Sequence, residues 1–109
     1  MAGVQWMYKL VYSNSFADSL ENLIYNWEIE LEFTSEQIKI FIQSIETSLR
    51  MVTEFPEMHE EVSDIYGLTS PTYRILIGKE YAMFYRLDHR KKEILVGSIF
   101  NRRQMRIDF

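Results

Sequence analysis

The apolar positions of this chain change period along its length, and each change marks an element. Trp6, Tyr8, Leu10 and Tyr12 alternate with Gln5, Met7, Lys9 and Val11, a loose period of two that predicts a strand over Val4 to Tyr12. Ser13-Asn14-Ser15 then offers a helix N-cap. Phe16, Leu20, Leu23, Ile24, Trp27 and Leu31 follow at spacings of three and four, one apolar stripe on an amphipathic helix. Asp18, Glu21, Glu28 and Glu32 fall mostly off that stripe.

A second helix starts at Thr34-Ser35-Glu36-Gln37. Thr34 can cap it with Gln37 at the third helical position, a capping box. Its stripe is Ile38, Phe41, Ile42, Ile45, Leu49 and Val52. Pro56 cannot continue the helix and biases Phe55 away from helical geometry. The link between the helices is short, which predicts an antiparallel hairpin. Met58 to Pro71 reads as a loop or short strand pieces, with Gly67 and Pro71 as breakers. Tyr73 to Ile77, Tyr81 to Leu87 and Glu93 to Phe100 read as strands, joined at Gly78-Lys79 and by the polar turn Asp88 to Lys92. The fold class is therefore α+β. A strand comes first, then a helical hairpin, then three antiparallel strands, with both helices on one face of an antiparallel sheet.

Composition narrows the class. The chain has 109 residues, of which 47% are hydrophobic and 15% aromatic, enough for one domain over residues 1–109 with a packed core. It has no cysteine, which excludes a disulfide scaffold, a thiolate metal site and a cysteine nucleophile. No run of apolar residues is long enough to span a bilayer, and the N-terminus lacks the pattern of a signal peptide. A cytoplasmic protein is expected.

Charge is distributed unevenly. The formal net charge is −4, but Asn14 to Ile65 carries twelve acids and two bases, while Thr72 to Arg106 carries nine bases and three acids. A ligand meets a local potential, screened within about 8–10 Å, so this asymmetry says more than the total. The acidic hairpin is expected to face solvent. The basic half, which ends in Arg102, Arg103 and Arg106, is expected to border the surface that meets a partner.

The order of these elements, with Phe55-Pro56-Glu57 and then YRILIGKEYAMFYRLDHRKKEILVGSIFNRRQ, resembles the RelE/ParE superfamily of bacterial type II toxin–antitoxin modules. The resemblance runs from about Tyr8 to Arg106. It implies a small cytoplasmic toxin neutralised by a cognate antitoxin protein. Some members cleave mRNA on the ribosome without a metal, and others inhibit DNA gyrase. The expectation is a toxin that inhibits translation by metal-independent, ribosome-dependent mRNA cleavage, with a non-enzymatic gyrase inhibitor, or a degenerate member that binds only its antitoxin, as the alternatives. Fold alone does not choose among these.

Metal-independent RNA cleavage needs a base for the 2′-hydroxyl, cations for the phosphate and an acid for the leaving oxygen. By resemblance Arg74 matches a phosphate-binding arginine on the strand after the hairpin, although pairing with a local acid is the alternative. Asn101 stands where many relatives carry a histidine, and asparagine cannot shuttle a proton near neutral pH. Asn101 and Arg103 complete the catalytic candidates. Arg102 and Arg106 are candidates for RNA or partner contacts, and Phe109 for stacking on a base or for packing. Arg86 is a further candidate for RNA or partner contacts, although a structural role beside Asp88 on the same strand face is the favoured alternative. His59 would have a raised pKa if Glu57, Glu60 and Glu61 approach it, and His89 reads as exposed in a turn. Neither histidine has metal-ligand spacing, so no metal and no cofactor are expected. Acidic residues of the antitoxin are expected to meet Arg74 and the Arg102–Arg106 cluster.

Overall fold

The computed structural model describes residues 7–109. The part of the predicted first strand over Val4 to Trp6 lies outside them. The elements run β1 (Lys9–Tyr12), α1 (Asn14–Ile29), α2 (Ser35–Glu54), β2 (Glu60–Glu61), α3 (Ser63–Tyr66), β3 (Tyr73–Ile77), β4 (Tyr81–Asp88) and β5 (Glu93–Asn101), and a 3₁₀ turn follows at Arg102–Gln104.

Both long helices start where their caps predict. Ser13 accepts the Phe16 N–H through its hydroxyl at 3.0 Å. At α2 the box is reciprocal: Thr34 Oγ1 accepts from Gln37 N at 3.1 Å, and Gln37 Oε1 accepts from Thr34 N at 2.8 Å. The end of α1 falls short of the apolar stripe. Glu30 N and Leu31 N both turn back to the Asn26 carbonyl, and Glu32 adopts a φ of 53°, a left-handed conformation that no helix continues through. Leu31 is therefore left in the loop and exposed.

The sheet order is β1-β5-β4-β3-β2. The three long strands are antiparallel as expected, but β1 pairs parallel with β5, Lys9 opposite Glu93 through Tyr12 opposite Val96. The sheet is thus mixed. The chain needs the whole helical hairpin and β2–β4 to return to β5, and strands so far apart in sequence are free to run parallel. β2 adds a short antiparallel rung to β3, Glu60 opposite Arg74 and Glu61 opposite Tyr73.

Two clusters of buried side chains flank the sheet. On one face Phe16, Ile45, Leu49 and Val52 of the hairpin meet Ile75, Ile77, Met83, Tyr85, Ile94, Val96 and Ile99. Ser19, itself buried, ties α1 to β5 just past the end of β1, where its hydroxyl accepts the Ile99 N–H at 2.9 Å. On the other face Val62, Ala82 and Phe84 are covered by Tyr66 of α3 and by Met105, Ile107 and Phe109 of the C-terminal segment. The aromatic strand residues divide between core and rim: Tyr85 is fully buried and stacks on Tyr73 at 5.0 Å, while Tyr12 is exposed.

The C-terminal segment is held by a bulge. Met83 pairs with Ile99 and Tyr85 with Val96, so β5 carries one extra residue opposite Phe84. The displaced Ser98 N–H donates to the Asp108 carbonyl at 2.8 Å. The Ser98 hydroxyl donates to the Arg106 carbonyl at 2.6 Å and accepts from Asp108 N at 2.9 Å.

Candidate anion-binding site

The register of β4 and β5 decides where the basic residues gather. Tyr81 lies opposite Asn101, so the β3–β4 turn at Gly78–Glu80 sits beside the residues that follow β5. Gly78 takes a φ of 62° in that turn, a conformation that favours glycine. Arg102 N donates to the Glu80 carbonyl at 2.6 Å, and the Arg102 guanidinium reaches the Lys79 carbonyl at 3.3 Å. The result is a cleft of about 390 Å³ lined by Tyr66, Arg74, Lys79, Glu80, Asn101, Arg102, Arg103 and Met105.

Four cations and one carboxylate share this cleft, so its local field is positive although the protein is acidic. Arg74 is its most enclosed cation, with 17% of the side chain exposed. Its guanidinium donates to Glu60 Oε1 at 2.7 Å and to the Tyr66 hydroxyl at 2.8 Å, which holds it rigid and half-neutralised. Among the described residues, Lys79, Arg102 and Arg103 form no ion pair, so they supply the unneutralised charge.

Asn101 ends β5 and caps the turn after it, where its Oδ1 accepts the Arg103 N–H at 2.9 Å. Arg74, Asn101, Arg102 and Arg103 are therefore brought together. Arg106, Phe109 and Arg86 are not. Arg106 is exposed and lies 3.6 Å from Asp108. Phe109 lies beneath Arg86, whose guanidinium carbon sits 4.1 Å from the ring centroid, and against Gly97. Arg86 does not pair with Asp88. It donates to Thr72 Oγ1 at 3.0 Å, and Asp88 instead accepts the Lys91 N–H within its own turn. Tyr66 and Lys79 are cleft residues that the sequence reading missed. Lys79 could have been found by carrying the turn register across to Asn101; nothing in the sequence shows Tyr66.

The histidines lie outside the cleft. His59 packs edge-on against Tyr85, and its pKa is lowered because burial disfavours the imidazolium; the neighbouring acids do not raise it. The unfolded chain therefore binds a proton at His59 near pH 6.5 where the folded chain does not. Stability should fall as pH drops below that value, and His59→Gln should flatten the loss. Denaturant titrations from about pH 7.5 to about pH 5 would check this; an unchanged slope in the variant would assign the loss to other groups. His89 is exposed in its turn as expected, and it also has partners: Nδ1 lies 2.6 Å from the Tyr8 hydroxyl and Nε2 lies 3.4 Å from Glu57. Among the described residues no group of three or more histidines, aspartates or glutamates is placed to hold a metal ion. Among them too, no helix is long and apolar enough to cross a membrane.

Comparison with known proteins agrees with this architecture. The family model for the ParE toxin of the type II toxin–antitoxin system parDE matches residues 10–106. Among solved structures, the toxin–antitoxin complex RelBE2 from Mycobacterium tuberculosis contains a chain of the same fold. It matches with a TM-score of 0.50 and 11% identity, over 88% of this chain and 99% of that one. No curated protein sequence matches this one.

Proposed function

The chain belongs to the ParE toxin family of type II toxin–antitoxin systems, and from that premise we propose that it acts by binding its target through the basic cleft rather than by cutting RNA, with DNA gyrase as that target in the cytoplasm. One observation carries this reading. The residue at the position expected to transfer a proton is Asn101, and its side-chain oxygen is committed to the Arg103 N–H as a turn cap. The side chain cannot act as a general acid or base near neutral pH. The cations around it still attract an acidic or anionic surface, and such fields speed and orient association.

The same chemistry defines the antitoxin. It is a protein whose acidic side chains meet Lys79, Arg102 and Arg103. Arg74 and Arg106 already have acidic neighbours in Glu60 and Asp108, and add less.

Ribosome-dependent mRNA cleavage is the second reading. It is favoured by the Tyr66 hydroxyl bonded to Arg74 in the cleft, a donor beside a cation where a scissile phosphate would sit. Two assays on purified protein separate the two. In gyrase supercoiling, wild type should inhibit, and Arg102→Glu/Arg103→Glu should require about tenfold or more protein, since each tenfold is about 1.4 kcal/mol of lost interaction. In ribosome-supported translation followed by primer extension, mRNA should remain uncut. Discrete cleavages lost in Arg74→Ala would overturn the gyrase reading in favour of the nuclease.

A further inference from the structure

A second cavity opens beside the basic cleft, and its lining is of a different kind. It encloses about 730 Å³ between α1, the hairpin loop and the β3–β4 turn, within the range of about 300–1,000 Å³ found for small-molecule sites. It shares Lys79, Glu80, Asn101 and Arg103 with the cleft, so the two spaces are continuous.

Two asparagines of α1 line it, Asn22 and Asn26, one helical turn apart and so on the same face. Asparagine is a poor residue for a helix interior, because its amide competes with the backbone for hydrogen bonds. Among the described residues neither side-chain amide makes a hydrogen bond. Two donor–acceptor amides are thus presented to the cavity without partners. An aromatic wall lines the same cavity. Tyr81 is fixed by the hydrogen bond that its hydroxyl accepts from Trp27 Nε1 at 2.8 Å. Phe33 stacks on Trp27 at 6.3 Å and keeps 38% of its surface exposed.

Each part of this arrangement answers to one part of a nucleotide. Aromatic rings stack on the face of an unpaired base. Side-chain amides pair with base edges, because each offers a donor and an acceptor in one plane. Unneutralised cations at the mouth, Lys79 and Arg103, take the phosphate. We propose that the cavity binds a nucleoside phosphate, with the unpaired base held between the Asn22/Asn26 amides and the aromatic wall and the phosphate in the basic cleft. The proposal goes beyond the toxin reading and stands whether gyrase or mRNA is the target. Its source is either a free nucleotide or one residue of a single strand.

Calorimetric titration of the full chain distinguishes these, with four probes: adenosine and guanosine 5′-monophosphates, ribose 5-phosphate and a hexameric single-stranded RNA. At least one base-bearing probe should bind about tenfold more tightly than ribose 5-phosphate, and Asn26→Leu should remove that advantage while leaving binding of ribose 5-phosphate unchanged. Asn22→Leu should do the same, and both substitutions favour the helix, so folding is preserved. Arg103→Glu should weaken all four probes. If the mononucleotides show the Asn26-dependent advantage, a free nucleotide suffices; if only the hexamer shows it, the ligand is a single strand. Base-bearing probes that bind no better than ribose 5-phosphate, or whose advantage survives both asparagine substitutions, would overturn the proposal.

Discussion

Trp27→Ala should destabilise the protein by about 3–5 kcal/mol, the range for removing a large aromatic from a closed site. Trp27 is fully buried. Its indole meets Phe41 edge-on at 4.4 Å and Tyr81 at 5.5 Å, and Phe33 stacks on it from the hairpin loop. It therefore joins α1 and α2 to β4 at the end of the sheet where β1 gives no cover. The deletion leaves a cavity among rings that are already locked to one another, so the site cannot collapse cheaply. Trp27→Phe should cost less, but it strands the Tyr81 hydroxyl that now accepts the indole N–H, a loss of about 1 kcal/mol. Urea denaturation followed by circular dichroism measures both. A loss below about 1 kcal/mol for the alanine variant would mean that the hairpin is not seated on this ring cluster.

The elements around Trp27 are those that the sequence shows most clearly. Caps at Ser13 and Thr34, the stop before Pro56 and the two apolar stripes, Leu31 at the end of the first excepted, are local signals, and they persist in the fold. What the sequence hides is long-range. The parallel pairing of β1 with β5 depends on which edge of the sheet is left open, and no period along β1 encodes it. The two-residue β2 is too short to carry a pattern, yet it supplies Glu60 to Arg74. The alternative of an arginine paired with a local acid was legible for Arg74; the identity of that acid required the register.

The candidate site divides in the same way. Arg102 and Arg103 could be read as a basic cluster because they are adjacent in sequence, and they do line the cleft. Arg106 belongs to that cluster on paper only, because the chain turns along β5 after Met105 and carries it to Asp108. Phe109 reads as an aromatic near a terminus, open to stacking or packing; the bulge at Ser98, a feature of pairing and not of composition, sets it beneath Arg86. Asn22 and Asn26 are not legible as site residues, because a polar residue off an apolar stripe reads as solvated. Only the position of the β3–β4 turn opposite α1 turns that face into a cavity wall.

Gly97→Ala should detach the C-terminal segment. The added Cβ would stand 2.7 Å from the Asp108 carbonyl oxygen and 2.7 and 2.8 Å from the Phe109 ring. The ring alone could swing aside, but the carbonyl is backbone and is held by the Ser98 N–H at 2.8 Å. Relief requires moving residues whose hydrogen bonds converge on Ser98, so overpacking of about 1–3 kcal/mol is compounded by the loss of those bonds, about 1 kcal/mol each. Phe109→Ala should cost less, since the ring is only partly buried and its loss removes chiefly its packing beneath Arg86. In the double variant two of the three close contacts have gone while the carbonyl contact remains. The two effects should therefore be less than additive, by about 0.5–3 kcal/mol. Thermal denaturation of the four proteins, with protease sensitivity of the segment after Gln104 as a second readout, completes the cycle. Strict additivity would show that Gly97 and Phe109 do not touch. The consequence reaches the basic cleft, because Met105 lines it and leads directly into the displaced segment. Loss of the strap should thus weaken target binding in Gly97→Ala even though no cation has been altered, whereas Phe109→Ala, with the Ser98 bonds intact, should keep the cleft and most of its affinity.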